Sequence, residues 1–312
     1  MAERILVTGG AGYLGSVICE RLLAANHPVT VLDSLLYGPA ALQHLCPNDL
    51  FEFVHGDARD ERVVADLVKR HDVLLPLACI VGAPACDRDP WLARSVNVEA
   101  IRLLNRLRSP QQLVIFPTTN SGYGTKTGAV HCTEDTPLDP ISLYGVTKAE
   151  AERMLLESAN TITLRLATVF GMSPRMRLDL LVNHFVYAAI TDRYIVIFEK
   201  HFKRNFVHIR DVADAFAYCI SNPERMVGRA YNCGLDNANL SKEELAIEIK
   251  KYIPDFYIHF SEFGQDPDKR NYIVSNQRLR EAGFEAMRDL GMGIRELMKG
   301  YRMLGRMPMR NV

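Results

Sequence analysis

The run SLYGVTK, residues 142–148, sets the phenol of Tyr144 and the ammonium of Lys148 four residues apart. In a helix that spacing puts both on one face. A free phenol titrates near pH 10, and moving it by about three units costs about 4 kcal/mol. A unit charge ~4 Å away contributes about that much at an effective dielectric of ~20. A buried Lys148 is therefore expected to make Tyr144 a usable general base, able to take a proton from an alcohol. A second cluster lies upstream. PTTNSGYG, residues 117–124, follows the apolar run QLVIF and sets four hydroxyls and an amide within eight residues, with no carboxylate among them.

A third group opens the chain. VTGGAGYLG places Gly9, Gly12 and Gly15 directly after a β-rich run. Such a turn lets backbone approach a pyrophosphate with no Cβ in the way, and the helix that follows offers bare N–H groups and a positive dipole end. The next β-rich run ends in Asp33, 18 residues after Gly15, where a carboxylate can accept hydrogen bonds from adenosine ribose hydroxyls. That carboxylate repels a 2′-phosphate, and SLLYG (34–38) holds no arginine to offset it. NAD is expected rather than NADP. Asp57, in HGD, either meets the adenine amino group or is a simple turn residue.

These groups need elements to hold them. Residues 4–9, 28–33, 51–57, 72–78, 112–118 and 162–167 read as strands, and LGSVICERLLAAN, ERVVADLVKR, VNVEAIRLLNRLR and YGVTKAEAERMLLES between them read as helices. This alternation predicts an α/β fold, a doubly wound parallel sheet with helices on both faces. After residue 171 the rhythm changes. MRLDLLVNHFVYAAI and SKEELAIEIKKYI read as helices, and RYIVIF, NFVHI and FYIHF as short strands. The expected division is a Rossmann-type domain over 1–171 that also takes in roughly 206–232, with a smaller mixed α/β lobe over 172–205 and 233–312.

Bulk properties remove several classes. The 312 residues carry 37 Lys plus Arg against 37 Asp plus Glu, so no nucleic acid or membrane partner held by bulk charge is expected. Seven scattered cysteines without a CxxC pair, and nine histidines without HxxxH or HxH spacing, predict reduced thiols and no metal site. The most apolar stretch, 72–86, is too short and too rich in Pro and Gly to span a bilayer. A strand beginning within three residues of the N-terminus leaves no room for a signal peptide, so a cytoplasmic protein is expected.

Together TGxxGxxG, Asp33, Asn97 in NVEA, the hydroxyl cluster before Tyr-Gly, and YxxxK resemble the extended short-chain dehydrogenase/reductase superfamily, and within it the nucleotide-sugar epimerase/dehydratase family. RNFVHIRDVADAF (204–216) and YNCG (231–234) carry the resemblance through most of the chain. It implies that Tyr13, Leu14, Ala58, Leu77, Ala78, Cys79 and Asn97 join the glycines and the two aspartates around NAD. It also implies that Thr119 hydrogen-bonds the reacting sugar hydroxyl, that Tyr144 removes its proton, and that Lys148 lowers the tyrosine pKa and holds the nicotinamide ribose. Hydride then passes from the sugar carbon to the nicotinamide.

Family 4,6-dehydratases place Asp-Glu after the catalytic Thr, whereas this chain has Asn120 and Ser121, neither of which acts as a carboxylic acid near neutrality. Dehydration is disfavoured on that ground. For the substrate the resemblance implies Arg204 on the diphosphate, Arg270 as a second phosphate ligand, Asn183 nearby, and Arg175 or Arg177 reaching either diphosphate or sugar. Thr168 stands where the family often has Asn. PLACIVGAP replaces the usual HLAA, which leaves Cys79 as a small packed side chain beside the nicotinamide.

The run RLATVFGMSPRMRLDLLVN, with KKYIPDFYIH and DPDKRNY, is similar to capsule-pathway enzymes that oxidise C4 of GDP-heptose with NAD. The expected reaction is oxidation of the C4 hydroxyl of a nucleotide sugar to a 4-keto sugar. The alternatives are a C4 epimerase that returns the hydride and, less favoured, a 4,6-dehydratase or a non-catalytic NAD sensor. WLARSVNVEAIRLLNRL and YGVTKAEAERMLLES match the helices through which family members pair, which implies a homodimer or a dimer-based tetramer.

Overall fold

The computed structural model describes residues 2–126, 131–262 and 270–305. Short apolar runs form the central strands β1 (Ile5–Thr8), β2 (Val29–Asp33), β3 (Phe51–His55), β4 (Val73–Pro76), β5 (Leu113–Thr119), β6 (Thr161–Leu166) and β7 (Arg229–Cys233). They pair in the order β7-β6-β5-β4-β1-β2-β3, all parallel. This is the dinucleotide-binding strand order extended by one strand, and it places the switch between β1 and β4. Near-continuous apolar strands follow from burial on both faces. Ile5, Val7, Val29 and Val31 pack with Val17, Ile18 and Leu22 of the helix Tyr13–Ala24 and with Val212 and Phe216 of the helix Ile209–Ser221. Leu6, Leu32, Leu74 and Phe116 face the other way, onto Val64, Leu67, Ile101, Leu104 and Leu155.

All six strands read before residue 171 are present. The seventh, RAYNC, is an edge strand of mixed polarity whose only sheet partner among the described residues is β6, so it carries no periodic signal of its own. The helix read at 96–108 begins as a π-helical turn over Ser95–Glu99 and becomes α-helical at Ala100.

A second core gathers Phe185 and Val186 of the helix Leu181–Thr191, Leu245 and Ile249 of Lys242–Tyr252, and Ile294 and Leu297 of Leu290–Leu304. Against these helices lie a parallel pair, Tyr194–Phe198 with Tyr257–Ser261, and a mixed three-stranded sheet of Thr168–Phe170, Lys203–His208 and Asn239–Ser241. One expectation fails here. The helix read over 176–190 starts only at Leu181, because Leu180 is extended (ψ 135°) and residues 173–180 form a loop. Pro174 opens that loop, and the Asp179 carboxylate is taken up by Arg177 rather than by a helix N-terminus.

Candidate active site

Where β1 ends, Gly9 takes φ +76°, and a Cβ there would stand 2.5 Å from the Ala78 backbone nitrogen. A Cβ on Gly15 would stand 2.5 Å from the Gly9 carbonyl oxygen. Both positions require glycine, one for a left-handed turn and one for helix–strand contact. The helix Tyr13–Ala24 starts from an extended Gly12 with no side-chain cap, which leaves N–H groups of its first turn for a ligand. Asp33 closes β2. Its carboxylate accepts from Ala11 N (2.9 Å) and Leu35 N (2.8 Å), which fixes the loop that follows. Asp57 is gripped by Arg59, whose hydrogen bond holds that carboxyl below its ordinary range.

β5 delivers the hydroxyls. Thr119 Oγ1 accepts from Ser121 N (3.1 Å) and donates to Ser121 Oγ (2.9 Å). Ser142 caps the helix Leu143–Leu156 by accepting from Gly145 N (3.2 Å), which puts Tyr144 in the first turn and Lys148 one turn on. Asn97, in the π-helical turn, accepts from Ile80 N and donates to Ile80 O and Thr147 Oγ1. It clamps the loop after β4 to that same helix.

The electrostatics differ from expectation. Burial pushes the Tyr144 phenol well above its ordinary value; the neighbouring Cys79 adds to that, and Arg177 and Arg270 oppose it. Lys148 sits one turn on in the same helix. Its ammonium lies 3.7 Å from the centroid of the Phe116 ring, and burial lowers its own pKa. The Cys79 thiol, donating to Ile80 O, is pushed up by burial, which suits a packed thiol rather than a nucleophile.

The facing wall comes from the second lobe. Tyr13 Oη donates to Gly171 O (2.8 Å) and accepts from Asn183 Nδ2 (3.1 Å). Asn183 Nδ2 also donates to Arg177 O, and its Oδ1 accepts from Gly171 N. Ser173 Oγ donates to Tyr13 O (2.7 Å). These bonds fasten the loop bearing Arg175 and Arg177 to the glycine turn. Arg175 stacks on Tyr37, with its guanidinium carbon 3.9 Å from the ring centroid. Tyr37 comes from the loop after β2, so this contact bridges the two walls.

One cleft of about 580 Å³ is lined by Gly9, Gly12, Tyr13, Leu14, Gly15, Asp33, Asp57, Ala58, Leu77, Ala78, Cys79, Thr119, Ser121, Tyr144, Lys148, Thr168, Arg175, Arg177 and Arg270. Four residues expected there do not line it. Asn97 is spent on the Ile80 clamp and Asn183 on fastening the loop. Asn120 is 1% exposed, with neither amide atom hydrogen-bonded among the described residues. Arg204 is 4% exposed; it donates to Lys203 O and stacks on Tyr272, which does line the cleft. The sequence reading missed Tyr37, Arg59 and Tyr272. Arg59 follows Asp57 by two residues and Tyr37 stands in SLLYG, so both had a local signal; Tyr272 reaches the cleft only through tertiary packing.

A glycine turn, uncapped helix N-terminus and strand-end carboxylate on one cleft fit a dinucleotide. Residues 5–234 match the model of the NAD dependent epimerase/dehydratase family. Over 318 aligned positions the chain is 31% identical to UDP-glucose 4-epimerase of Mycolicibacterium smegmatis, covering 96% of this chain and 98% of that protein. In fold it is similar to UDP-glucose 4-epimerase of Thermotoga maritima, solved with UDP-glucose (TM-score 0.83, 22% identity, 96% of this chain and 99% of that one). It is likewise similar to UDP-glucose 4-epimerase of Thermus thermophilus, solved with NAD (TM-score 0.81, 24% identity, 96% and 99%). The chain belongs to the NAD-dependent epimerase/dehydratase family, and NAD is its cofactor.

Proposed function

We propose that this protein oxidises the C4 hydroxyl of a nucleotide sugar to a 4-keto sugar. The observation that carries the reading is the convergence of Thr119, Ser121 and Tyr144 on the cleft that the glycine turn opens. Bound NAD supplies the hydride acceptor. Thr119 turns its hydroxyl proton from Ser121 to the sugar oxygen, and Tyr144 takes the single proton of the sugar hydroxyl. Lys148 moves off the Phe116 face to the nicotinamide ribose. Arg175, Arg177 and Arg270 grip the diphosphate and sugar, and Arg204 acts through Tyr272. With Asn120 and Ser121 where dehydratases carry Asp-Glu, the keto intermediate is not dehydrated.

GDP-heptose is the first substrate to test, on the similarity of the 165–183 run to GDP-heptose C4 oxidising enzymes. A second reading, a 4-epimerase that returns the hydride to the opposite face, is favoured by the Mycolicibacterium relative's name. Incubation with GDP-, UDP- and dTDP-sugars separates them. A product two hydrogens lighter with NADH released supports the dehydrogenase, and an epimer without NADH supports the epimerase. If no sugar of the panel turns over, C4 oxidation is wrong. We also propose pairing through the helices Pro90–Arg94, Ala100–Leu107 and Leu143–Leu156, where Trp91 is 74% exposed. Sedimentation as a monomer at micromolar concentration would exclude it.

A further inference from the structure

Behind the cleft, one buried hydroxyl gathers the elements that carry the chemistry. Tyr123 ends the turn Asn120–Tyr123, which Thr119 caps and which sets Ser121 on the cleft. The residue is 0% exposed. Its Oη accepts from Arg165 Nη1 (3.0 Å) and donates to Asn232 Oδ1 (2.7 Å). Arg165, on β6, also donates to Glu152 Oε1 through Nε (3.0 Å) and Nη2 (2.6 Å). Glu152 follows Lys148 by four residues in the helix Leu143–Leu156, as Lys148 follows Tyr144, so successive turns of one helix supply all three. A planar guanidinium with donors in fixed directions thus spans from that helix to the hydroxyl turn. Asn232 leads to the opposite wall: its Nδ2 donates to Ser275 O (3.0 Å), just beyond Arg270 and Tyr272 of the cleft. The Tyr123 ring itself meets the Tyr272 ring edge-on, with centroids 6.3 Å apart.

We propose that the Tyr123 hydroxyl is a positioning group for the reaction: held by Arg165 and Asn232, it fixes the Thr119–Ser121 turn against the helix that carries Tyr144. The inference rests on the reading of Thr119 and Tyr144 as the groups that handle the sugar hydroxyl. Tyr123 does not line the cleft, so it acts through the turn. Strand pairing of Thr118 with Arg165 and Thr119 with Leu166 sets the register of β5, but residues 120–123 have left the sheet. Their backbone is tied to the loop before the helix, where Asp139 N donates to Gly122 O (2.8 Å). The tie to the helix itself runs from Tyr123 through Arg165 to Glu152. Reacting groups misplaced by about 1 Å lose roughly 10²-fold in rate, so this strut bears on turnover as well as on folding.

Tyr123→Phe tests this, because it keeps the ring on Tyr272 and removes both hydroxyl bonds. Arg165 Nη1 retains Glu134 O (3.0 Å) as an acceptor, so no cation is stranded. Crystal structures of the NAD-loaded wild type and variant should show the turn displaced by about 1 Å against the helix Leu143–Leu156. With whichever sugar of the GDP-, UDP- and dTDP-sugar panel turns over, kcat should fall roughly 10- to 100-fold and KM stay unchanged. In a Thr119→Val background the same change should cost less than about twofold, since the hydroxyl that the turn positions is gone. A turn that stays in place overturns the inference. So does an unchanged kcat, a loss confined to KM, or an equal loss in both backgrounds. Arg165→Lys, which keeps a cation beside Glu152 but gives up the planar fork, repeats the comparison if the phenylalanine variant does not fold. If no sugar of the panel turns over, the proposed reaction falls and displacement of the turn alone decides.

Discussion

The two walls of the cleft are built by different means. The wall from β1, β2 and β5 uses strand ends, a glycine turn and short side chains fixed by local bonds such as Thr119 to Ser121. The opposite wall uses long cationic side chains on a loop, fastened by Tyr13, Asn183 and Ser173 across more than a hundred residues of sequence. The first is set by covalent geometry and fits a dinucleotide. The second is set by tertiary packing, and its identity can change without disturbing the sheet. Chemistry and cofactor are therefore expected to be robust, and substrate choice adjustable.

That contrast can be broken experimentally. Tyr144→Phe should lower turnover by roughly 10²–10⁴-fold with NAD affinity unchanged, since it removes the proposed general base alone. Steady-state kinetics with calorimetric NAD binding checks this, and an equal loss of both would erase the distinction between the walls. Behind the first wall, Arg165 and Glu152 form a buried pair, with Nε to Oε1 at 3.0 Å. Glu152→Gln should cost about 3–5 kcal/mol in denaturant unfolding, because it strands a buried guanidinium. A cost below ~1 kcal/mol would mean the support is softer than its burial implies.

Smaller effects test the bridge between the walls. Tyr37→Ala removes the Arg175 stack and should weaken NAD binding roughly 2- to 30-fold, from a cation–π contact of ~0.5–2 kcal/mol. An unchanged NAD off-rate would show that the walls are not coupled there. The smallest effect concerns Asp57. Arg59 lowers its folded pKa, so its contribution is present above the unfolded value of about 3.9 and is lost as pH falls through the folded one. Asp57→Asn should therefore differ from wild type by less than ~1 kcal/mol near neutrality and converge with it in acid, by thermal melts across pH.

Much of the first wall was legible in the sequence. Gly9, Gly15, Asp33 and Tyr144 report themselves through spacing, because a turn, a strand end and one helical face are local objects. Arg177 was read as part of a helix and lies on a loop, because the pairing with Asp179 and the tie to Asn183 outweigh an apolar period that holds only from Leu181 onward. Asn97 and Asn183 do not line the cleft for a related reason. A residue type reveals which bonds it can make, while its partners are fixed only once distant segments meet. Lys148 shows this most sharply, since four-residue spacing put it near Tyr144 and the Phe116 ring captured its ammonium.

The seventh strand, Arg229–Cys233, hydrogen-bonds to β6 but is encoded after the second lobe has begun. During synthesis six strands leave the ribosome with the outer rim of Thr161–Leu166 still unsatisfied. A nascent chain stalled before Arg229 carries a raw sheet border ready to recruit neighbouring polypeptides. Chains truncated before Arg229 should therefore be found in inclusion bodies.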